Sequence, residues 1–189
     1  MRKLLIATCL VMAPLSVPAL AQDMAGGALS ASDVGASPMT GTPAQNYVAW
    51  AADGDMYEIQ SSRLALSKGR SDAVKSHARE MITDHTTTTK TLLAALPKTE
   101  PKVAKPPMKL SEPNVAMIAQ LKQASGDAFD RLYIQQQLQA HQKAWALHKG
   151  YATDGTDPAL RQVATSAVPI IEKHLQHLKS MPGGGAGGM

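Results

Sequence analysis

The chain has 189 residues, of which 44% are hydrophobic, 4% aromatic and 18% charged, and its formal net charge is +4. This length is typical of a single domain. So small a net charge and so few aromatic rings do not favour nucleic-acid binding, which needs a basic surface and rings for base stacking. The only cysteine, Cys9, lies in the apolar N-terminal run, so the rest of the chain has no thiol nucleophile and no thiolate metal ligand.

The first 21 residues have the features of a secretory signal peptide. Arg2 and Lys3 precede an apolar run, and the small residues that a signal peptidase recognises end at Ala21, where we predict cleavage. The run is short for a membrane span and is interrupted by two prolines. We therefore expect export to a bacterial periplasm or outer cell surface, with no transmembrane span after cleavage.

Two segments without hydrophobic periodicity flank the body of the chain. Residues 22–41 are rich in Gly, Ala, Ser and Asp, a composition typical of a disordered leader. Residues 182–189 are rich in Gly and predict a flexible tail. The folded domain is therefore predicted at residues 42–181.

The body of the chain predicts helices throughout, because no stretch alternates polar and apolar residues over a useful length. Residues that can cap a helix N-terminus precede the segments, and Gly or Pro follows them. The predicted helices span residues 43–68, 72–96, 113–124, 127–151 and 158–181. Residues 97–113 hold five prolines and four lysines, which predicts an extended connection. The fold class is all-α, a four-helix bundle with a long Pro/Lys-rich connection and a short extra helix between its second and third helices.

Each long helix directs a polar residue into its apolar stripe when side chains are placed at the helical period. These four residues are Glu58, His85, His141 and His174. Buried imidazoles and carboxylates are costly unless they pair or bind a metal. Three imidazoles and a carboxylate suit zinc, iron or copper, so the four are candidate metal ligands. Further polar residues on the inward faces could support them: Asp55, Asp130, Tyr133 and Gln137.

The sequence leaves open whether these residues bind a metal and whether they form one cluster. A histidine on an apolar helix face is usually a hydrogen-bonded core residue rather than a ligand. Counted from the connecting turns, Glu58 and His85 differ in depth by ~6 Å, and His141 and His174 by ~7 Å, so the polar groups could form one cluster or two. The Glu-x-x-His pairs of di-iron bundles are absent, so a standard di-iron oxidase centre is not expected.

The chain resembles an exported bacterial family known as domain of unknown function 4142, which is grouped with the ferritin-like helical bundles. The likeness runs from about Asn46 to Met181 and is carried by Ala51-Ala52-x-Gly54 with Glu58, Met81-x-x-Asp84-His85, Gly126-x-x-Phe129-Asp130-x-x-Tyr133, His141, and Pro169 followed by His174. The resemblance implies a ferritin-like four-helix bundle in the periplasm or on the envelope. It also implies that the four inward residues belong to the family's pattern, and it supplies no established activity.

The sequence therefore predicts an exported helical-bundle protein that binds zinc, iron or copper through its inward Glu and His residues, and it identifies no catalytic residue. The alternative is a structural or protein-interaction module of the cell envelope, in which the inward polar groups fix helix register. A metal-dependent oxidase comes third. An envelope protein partner or a homo-oligomer is compatible with each of these functions.

Overall fold

The computed structural model describes residues 28–184, and the predicted signal peptide and residues 185–189 lie outside this range. The elements are α1 (Ala31–Val34), α2 (Ala44–Lys68), α3 (Asp72–Ala95), a 3₁₀ turn (Leu96–Lys98), α4 (Glu112–Gln123), α5 (Gly126–Asp154) and α6 (Pro158–Ser180). Every regular element in this part of the chain is helical, so the all-α prediction is confirmed, including the short helix between the second and third long helices. None of the described helices is both long and apolar enough to cross a lipid bilayer.

The ends of two helices differ from the sequence-based prediction. The hydroxyl of Thr42 does not cap α2 but donates a hydrogen bond to the carbonyl oxygen of Met39, and Pro43 occupies the cap position. The C-terminal end of α5 is longer than predicted, because this helix continues to Asp154 rather than ending near Tyr151. Both differences are local and leave the inward face of each helix unchanged.

The long helices pack as a helical bundle made of two antiparallel hairpins. The closest packing joins α2 to α3 and α5 to α6, while α2 also packs on α5 and α3 on α6. The short helix α4 lies against α2 and α5. The connection before α4 is held to the bundle by hydrogen bonds: Glu100 N–H donates to Asp157, and Ser111 N–H and Oγ–H donate to Asp53.

The core consists of apolar clusters at the two ends of the bundle, with a layer of buried polar residues between them. One end cluster is built around Tyr47, Leu92, Leu147 and Leu160. The other end cluster is built around Ala65, Val74, Phe129, Tyr133 and Leu178. The four predicted metal ligands lie between these clusters along their helices: Glu58, His85, His141 and His174.

Residues 28–41 fold onto the bundle, in contrast to the predicted disordered leader. Ser30 and Asp33 form a capping box at the start of α1, and Val34 is 1% exposed in a cluster with Trp145 and Ile171. A four-residue helix with one buried residue is too short to give a hydrophobic period, so the sequence pattern does not reveal it. Residues 22–27 lie outside the described residues.

The contact between this N-terminal segment and α5 depends on a glycine. The N–H of Met39 donates to the carbonyl oxygen of Ala146 at 2.8 Å, which brings the segment directly over Gly150. A Cβ atom on Gly150 would lie 2.0 Å from the Met39 carbonyl oxygen. Only glycine therefore allows the segment to approach α5 this closely. At the opposite terminus, the first residues of the predicted tail form a turn in which Gly184 N–H donates to the Met181 carbonyl.

Candidate metal centre

Three histidines from three helices meet in the polar layer. His85 of α3, His141 of α5 and His174 of α6 are 6%, 1% and 0% exposed. One ring nitrogen from each lies within 4.8 Å of the other two. The ring centroids are separated by 5.6 Å for His85 and His141, 5.9 Å for His85 and His174, and 5.2 Å for His141 and His174. Three of the four predicted ligands therefore form a single cluster.

The outer ring nitrogen of each of these histidines faces an oxygen atom that can only accept a hydrogen bond. The contacts are His85 Nδ1 to Asp55 Oδ1 at 2.8 Å, His141 Nδ1 to the Gln137 carbonyl oxygen at 2.9 Å, and His174 Nε2 to Asp84 Oδ2 at 2.9 Å. Ionised carboxylates and carbonyl oxygens have no hydrogen to give. The outer nitrogens therefore carry the hydrogens, and these contacts determine the tautomer of each ring.

The inner nitrogens are consequently lone-pair sites when the rings are neutral. His141 Nε2 and His174 Nδ1 face each other at 3.2 Å and have no hydrogen to share. His85 Nε2 is buried without a hydrogen-bond partner among the described residues. Facing lone pairs and an unpaired buried acceptor are unfavourable unless a cation lies between them. A metal ion would accept all three lone pairs.

Burial decides the protonation of two of these rings. It lowers the pKa of His141 well below its ordinary value, and the neighbouring imidazoles act in the same direction. It lowers the pKa of His174 to about 4, against the hydrogen bond to Asp84. Neutral imidazole is the form that binds metals. Both rings are therefore ready to bind an ion at neutral pH.

His85 differs because a carboxylate faces it. Burial opposes the positive charge on this ring, but the hydrogen bond and charge of Asp55, with the charge of Glu58, outweigh burial and raise the pKa of His85. The raised pKa favours a proton on His85 in the metal-free cluster. Because metal binding requires the neutral ring, an ion has to displace that proton.

Asp55 is itself held in place by the threonine run of α3. Its Oδ1 accepts hydrogen bonds from His85 Nδ1 and from Thr88 Oγ1 at 2.9 Å, and its Oδ2 accepts from Thr89 Oγ1 at 2.9 Å. Three donors fix the carboxylate, which in turn orients the imidazole, as is usual for residues that support metal-binding histidines. Two threonines of the run at residues 86–89 thus hold Asp55 against His85.

Asp84 supports His174 and was not predicted as a site residue. It directly precedes His85 on α3, and its carboxylate contacts the outer nitrogen of His174 on α6. Glu80, Asp84 and His174 also bring ligand atoms within 4.8 Å of one another. Glu80, however, forms an ion pair with Lys173 at 2.5 Å. We therefore place the candidate centre at the three histidines.

A cavity of about 400 Å³ adjoins the cluster on the side of His85. Residues from all four long helices line it, and most of its wall is apolar. Glu58 and Asp84 contribute to the wall near the cluster, and His148 contributes two helical turns away along α5 from His141. The core is therefore not fully packed beside the histidines.

The family assignment agrees with the resemblance noted in the sequence. The model of a family described as Domain of unknown function (DUF4142) matches residues 29–181. The chain belongs to this family. The DUF4142 match covers all six helices and the three clustered histidines. No curated protein and no solved structure matches the chain, so the function of this DUF4142 protein has to be argued from its site.

Within this DUF4142 fold, the fourth predicted ligand lies behind His141 rather than among the inner nitrogens. Glu58 Oε2 accepts a hydrogen bond from Gln137 Nε2 at 2.5 Å, and Oε1 lies 3.5 Å from His141 Nδ1, the nitrogen that faces away from the other rings. Burial raises the pKa of Glu58 to about 7. The helical period correctly predicts that Glu58 points inward, but it does not specify which side of an imidazole the carboxylate meets.

The four predicted supporting residues divide into two pairs. Asp55 and Gln137 contact the histidines, as described above. Tyr133 instead forms a hydrogen bond with Ser62 at 2.8 Å. Asp130 accepts from the backbone N–H groups of Arg70 and Ser71 in the turn between α2 and α3. Tyr133 and Asp130 therefore stabilise the bundle at a distance from the centre.

Proposed function

We propose that this DUF4142 protein is an exported helical-bundle protein that binds a divalent transition metal through His85, His141 and His174. One observation carries the proposal: one ring nitrogen from each of the three histidines lies within 4.8 Å of the other two, while the outer nitrogen of each ring donates to a carboxylate or carbonyl oxygen. Metal-binding histidines have this arrangement almost without exception, because the outer hydrogen bond fixes the tautomer and the ring orientation.

The ligand set favours copper or zinc over iron. Three neutral imidazoles suit both ions, and the general order of affinities places Cu²⁺ above Zn²⁺. Iron-oxidising bundles rely instead on several carboxylates, with Glu-x-x-His pairs. Those pairs are missing from this chain, and Glu58 lies behind His141, so we do not propose an iron oxidase. A site with three protein ligands keeps a position for water or another small ligand.

Two further parts of the proposal concern architecture and location. We propose that the four long helices form a ferritin-like bundle, supported by the long connection between the second and third of them. We also propose export to the periplasm or outer cell surface, supported by the basic start, apolar run and small residues of residues 1–21.

Elemental analysis tests the metal proposal. The mature chain, residues 22–189, is purified from the periplasm without chelator or histidine tag, beside the double variant His85→Ala/His141→Ala. A matched control, His177→Ala, removes an exposed histidine outside the cluster. We expect near-stoichiometric metal in the wild type and the control, and loss of metal in the double variant. Wild-type protein that neither carries metal nor takes up added Zn²⁺ or Cu²⁺ would refute the proposal.

The second candidate function is a structural or protein-interaction module of the envelope. It is favoured by Asp55, which joins α2 to α3 through one buried and two partly buried hydrogen bonds. Under this alternative the buried polar groups fix helix register. It predicts the same melting temperature with and without added metal, and a protein partner or second copy that is retained during purification.

A further inference from the structure

The cavity beside the histidine cluster has the size and lining of a small-molecule site. Its volume of about 400 Å³ lies within the usual range for such sites. Small side chains on facing helices create the space, among them Ala51, Gly54, Ala140, Ala144 and Ala167. These small residues belong to α2, α5 and α6, whereas the residues that α3 contributes to the wall are polar.

The wall presents carboxylate oxygens that lack donors. Glu58 is 3% exposed, and its Oε2 is taken by Gln137. We find no hydrogen bond to Oε1 among residues 28–184; its neighbour His141 Nδ1, 3.5 Å away, already donates to a carbonyl oxygen. Asp84 uses one oxygen for His174, and we find no donor to the other within the same residues. A ligand in the cavity would supply the missing donor.

The charges around the cavity favour a cation. Four acidic side chains line it, those of Asp53, Asp55, Glu58 and Asp84; burial raises the pKa of Glu58 to about 7, so a bound cation would favour its ionised form. The positive groups in the lining are Lys143, whose side chain is exposed at the rim, and the imidazole of His85. An anion would meet net repulsion, whereas a protonated amine would form a charge-assisted hydrogen bond with a carboxylate oxygen.

An aromatic side chain completes the site. Trp50 lines the cavity and is 48% exposed, which is unusual for so large an apolar residue. The face of an indole attracts both cations and other rings. A ligand that covers part of the Trp50 indole would account for the exposure of this side chain at the cavity.

We propose that the cavity binds a small amine, in which an apolar or aromatic body fills the space beside Trp50 and Gly54 and the ammonium group donates to Glu58 Oε1. The acceptor Glu58 Oε1 lies 3.5 Å from His141 Nδ1, the nitrogen that faces away from the other two rings, so an ammonium group there would not compete with a metal ion for the inner nitrogens. The proposal therefore does not depend on the metal proposal.

Three probes of similar size and different charge test the amine preference. 2-Phenylethylamine, 2-phenylethanol and 3-phenylpropanoate are titrated into the mature protein, with and without added Zn²⁺, and binding is followed by tryptophan fluorescence and calorimetry. Trp145 is buried and bonded to Glu172, and it is not part of the cavity wall, so a Trp50→Phe variant provides the background signal. We expect saturable binding of the amine, binding of the alcohol weaker by about tenfold or more, and no binding of the acid. No saturable amine binding, or equal affinity for all three probes, would overturn the proposal.

Two substitutions at one position test whether the cavity is the binding site. Gly54 lies in the middle of α2, and a Cβ atom there would meet nothing within 4 Å. Ala and Leu are both better helix formers than Gly, so both variants are expected to fold. Gly54→Leu should abolish amine binding by filling the cavity, whereas Gly54→Ala should weaken it only partly. Unchanged affinity in Gly54→Leu would refute the location.

A substitution of the carboxylate tests the contact itself. Glu58→Gln keeps the shape of the side chain and removes its charge. We expect amine affinity to fall by about tenfold or more, with the affinity for the alcohol retained. Equal loss for both probes would refute the proposed ammonium contact. Metal content measured on the same samples shows separately whether the histidine cluster is intact.

Discussion

Replacing Asp55 by Asn tests whether a metal ion displaces the proton held on His85. Asn has nearly the same shape, and its side-chain oxygen can still accept the hydrogen bond from His85 Nδ1, so the tautomer is preserved. The Thr89 hydroxyl also lies 2.8 Å from the His85 carbonyl oxygen and can donate there instead. The substitution therefore removes the negative charge while leaving the ring in place.

The protonation of the three rings determines the expected result. Burial lowers the pKa of His85, but Asp55 and Glu58 outweigh it and raise the pKa above its ordinary value. His141 and His174 have lowered pKa values and carry no proton to release. At a pH of about 6.5, the ordinary pKa of histidine, His85 is therefore more than half protonated, and metal binding should release between ~0.5 and ~1 proton per ion.

In Asp55→Asn the largest positive influence on His85 is gone and burial remains. The ring should then be mostly neutral at the same pH, and fewer than ~0.5 protons should leave on binding. The lost support for the ligand should lower metal affinity by about 10-fold to 100-fold. Because a proton would compete less with the metal ion for His85 in the variant, part of that loss would be recovered at acidic pH. The metal affinity of the variant should therefore depend less on pH than that of the wild type.

Calorimetry provides the assay. Zn²⁺ is titrated in buffers with different enthalpies of ionisation, and the dependence of the observed heat on the buffer gives the number of protons released. Asp53→Asn is the matched control, because Asp53 lies on the same helix and binds Ser111 and Asn114 instead of a histidine. A wild type that releases fewer than ~0.5 protons, or an Asp55→Asn variant that releases as many as the wild type, would refute this account of the cluster.

Four further predictions concern stability, the N-terminal segment and export. His77 is buried with both ring nitrogens unpaired among the described residues, and burial lowers its pKa to about 3. The unfolded chain binds a proton on His77 near pH 6.5, whereas the folded protein does not, so the free energy of unfolding falls as the pH drops from 6.5 towards 3. His77→Phe should therefore gain ~2 kcal/mol over the wild type between pH 6.5 and pH 5, measured by urea unfolding. Zinc at ~100 times its dissociation constant should add ~3 kcal/mol of stability, and the melting temperature of the wild type, but not of the double histidine variant, should rise by ~5–10 °C. Gly150→Ala should displace Met39 and speed proteolysis between residues 28 and 41 while metal binding is retained, and unchanged proteolysis would contradict the tight packing there. Cell fractionation followed by N-terminal sequencing should find the protein in the periplasm or at the cell surface with Gln22 as its first residue; an intact N-terminus would refute the predicted cleavage.

The helices and the three clustered histidines could be predicted because each depends mainly on local chemistry. Capping residues, glycines and prolines determine where a helix begins and ends, and the helical period determines which side chains face the core. His85, His141 and His174 each interrupt an apolar stripe, so their inward direction was visible in the sequence. Their convergence at one depth was not, because it depends on how far each helix is displaced along the bundle.

The residues that were missed depend on relations between helices. Asp84 lies next to His85 in sequence, and only the position of α6 shows that it contacts His174. Glu58 was expected among the ligands, but the packing of α2 against α5 brings it to the outer nitrogen of His141. The N-terminal segment was assigned to disorder because its composition is polar and small, although the burial of Val34 and hydrogen bonds to α5 and α6 hold it on the bundle.

The division of the bundle into two hairpins would give a bound ion a mechanical role. His85 belongs to the hairpin of α2 and α3, whereas His141 and His174 belong to the hairpin of α5 and α6. Packing is closer within each hairpin than between them, and the chain joins them only through the long connection and α4. A bound ion would therefore cross-link the two halves of the protein where their contact is weakest, and such links across long stretches of chain stabilise most. Loss of the ion would loosen one half against the other while each half keeps its own packing.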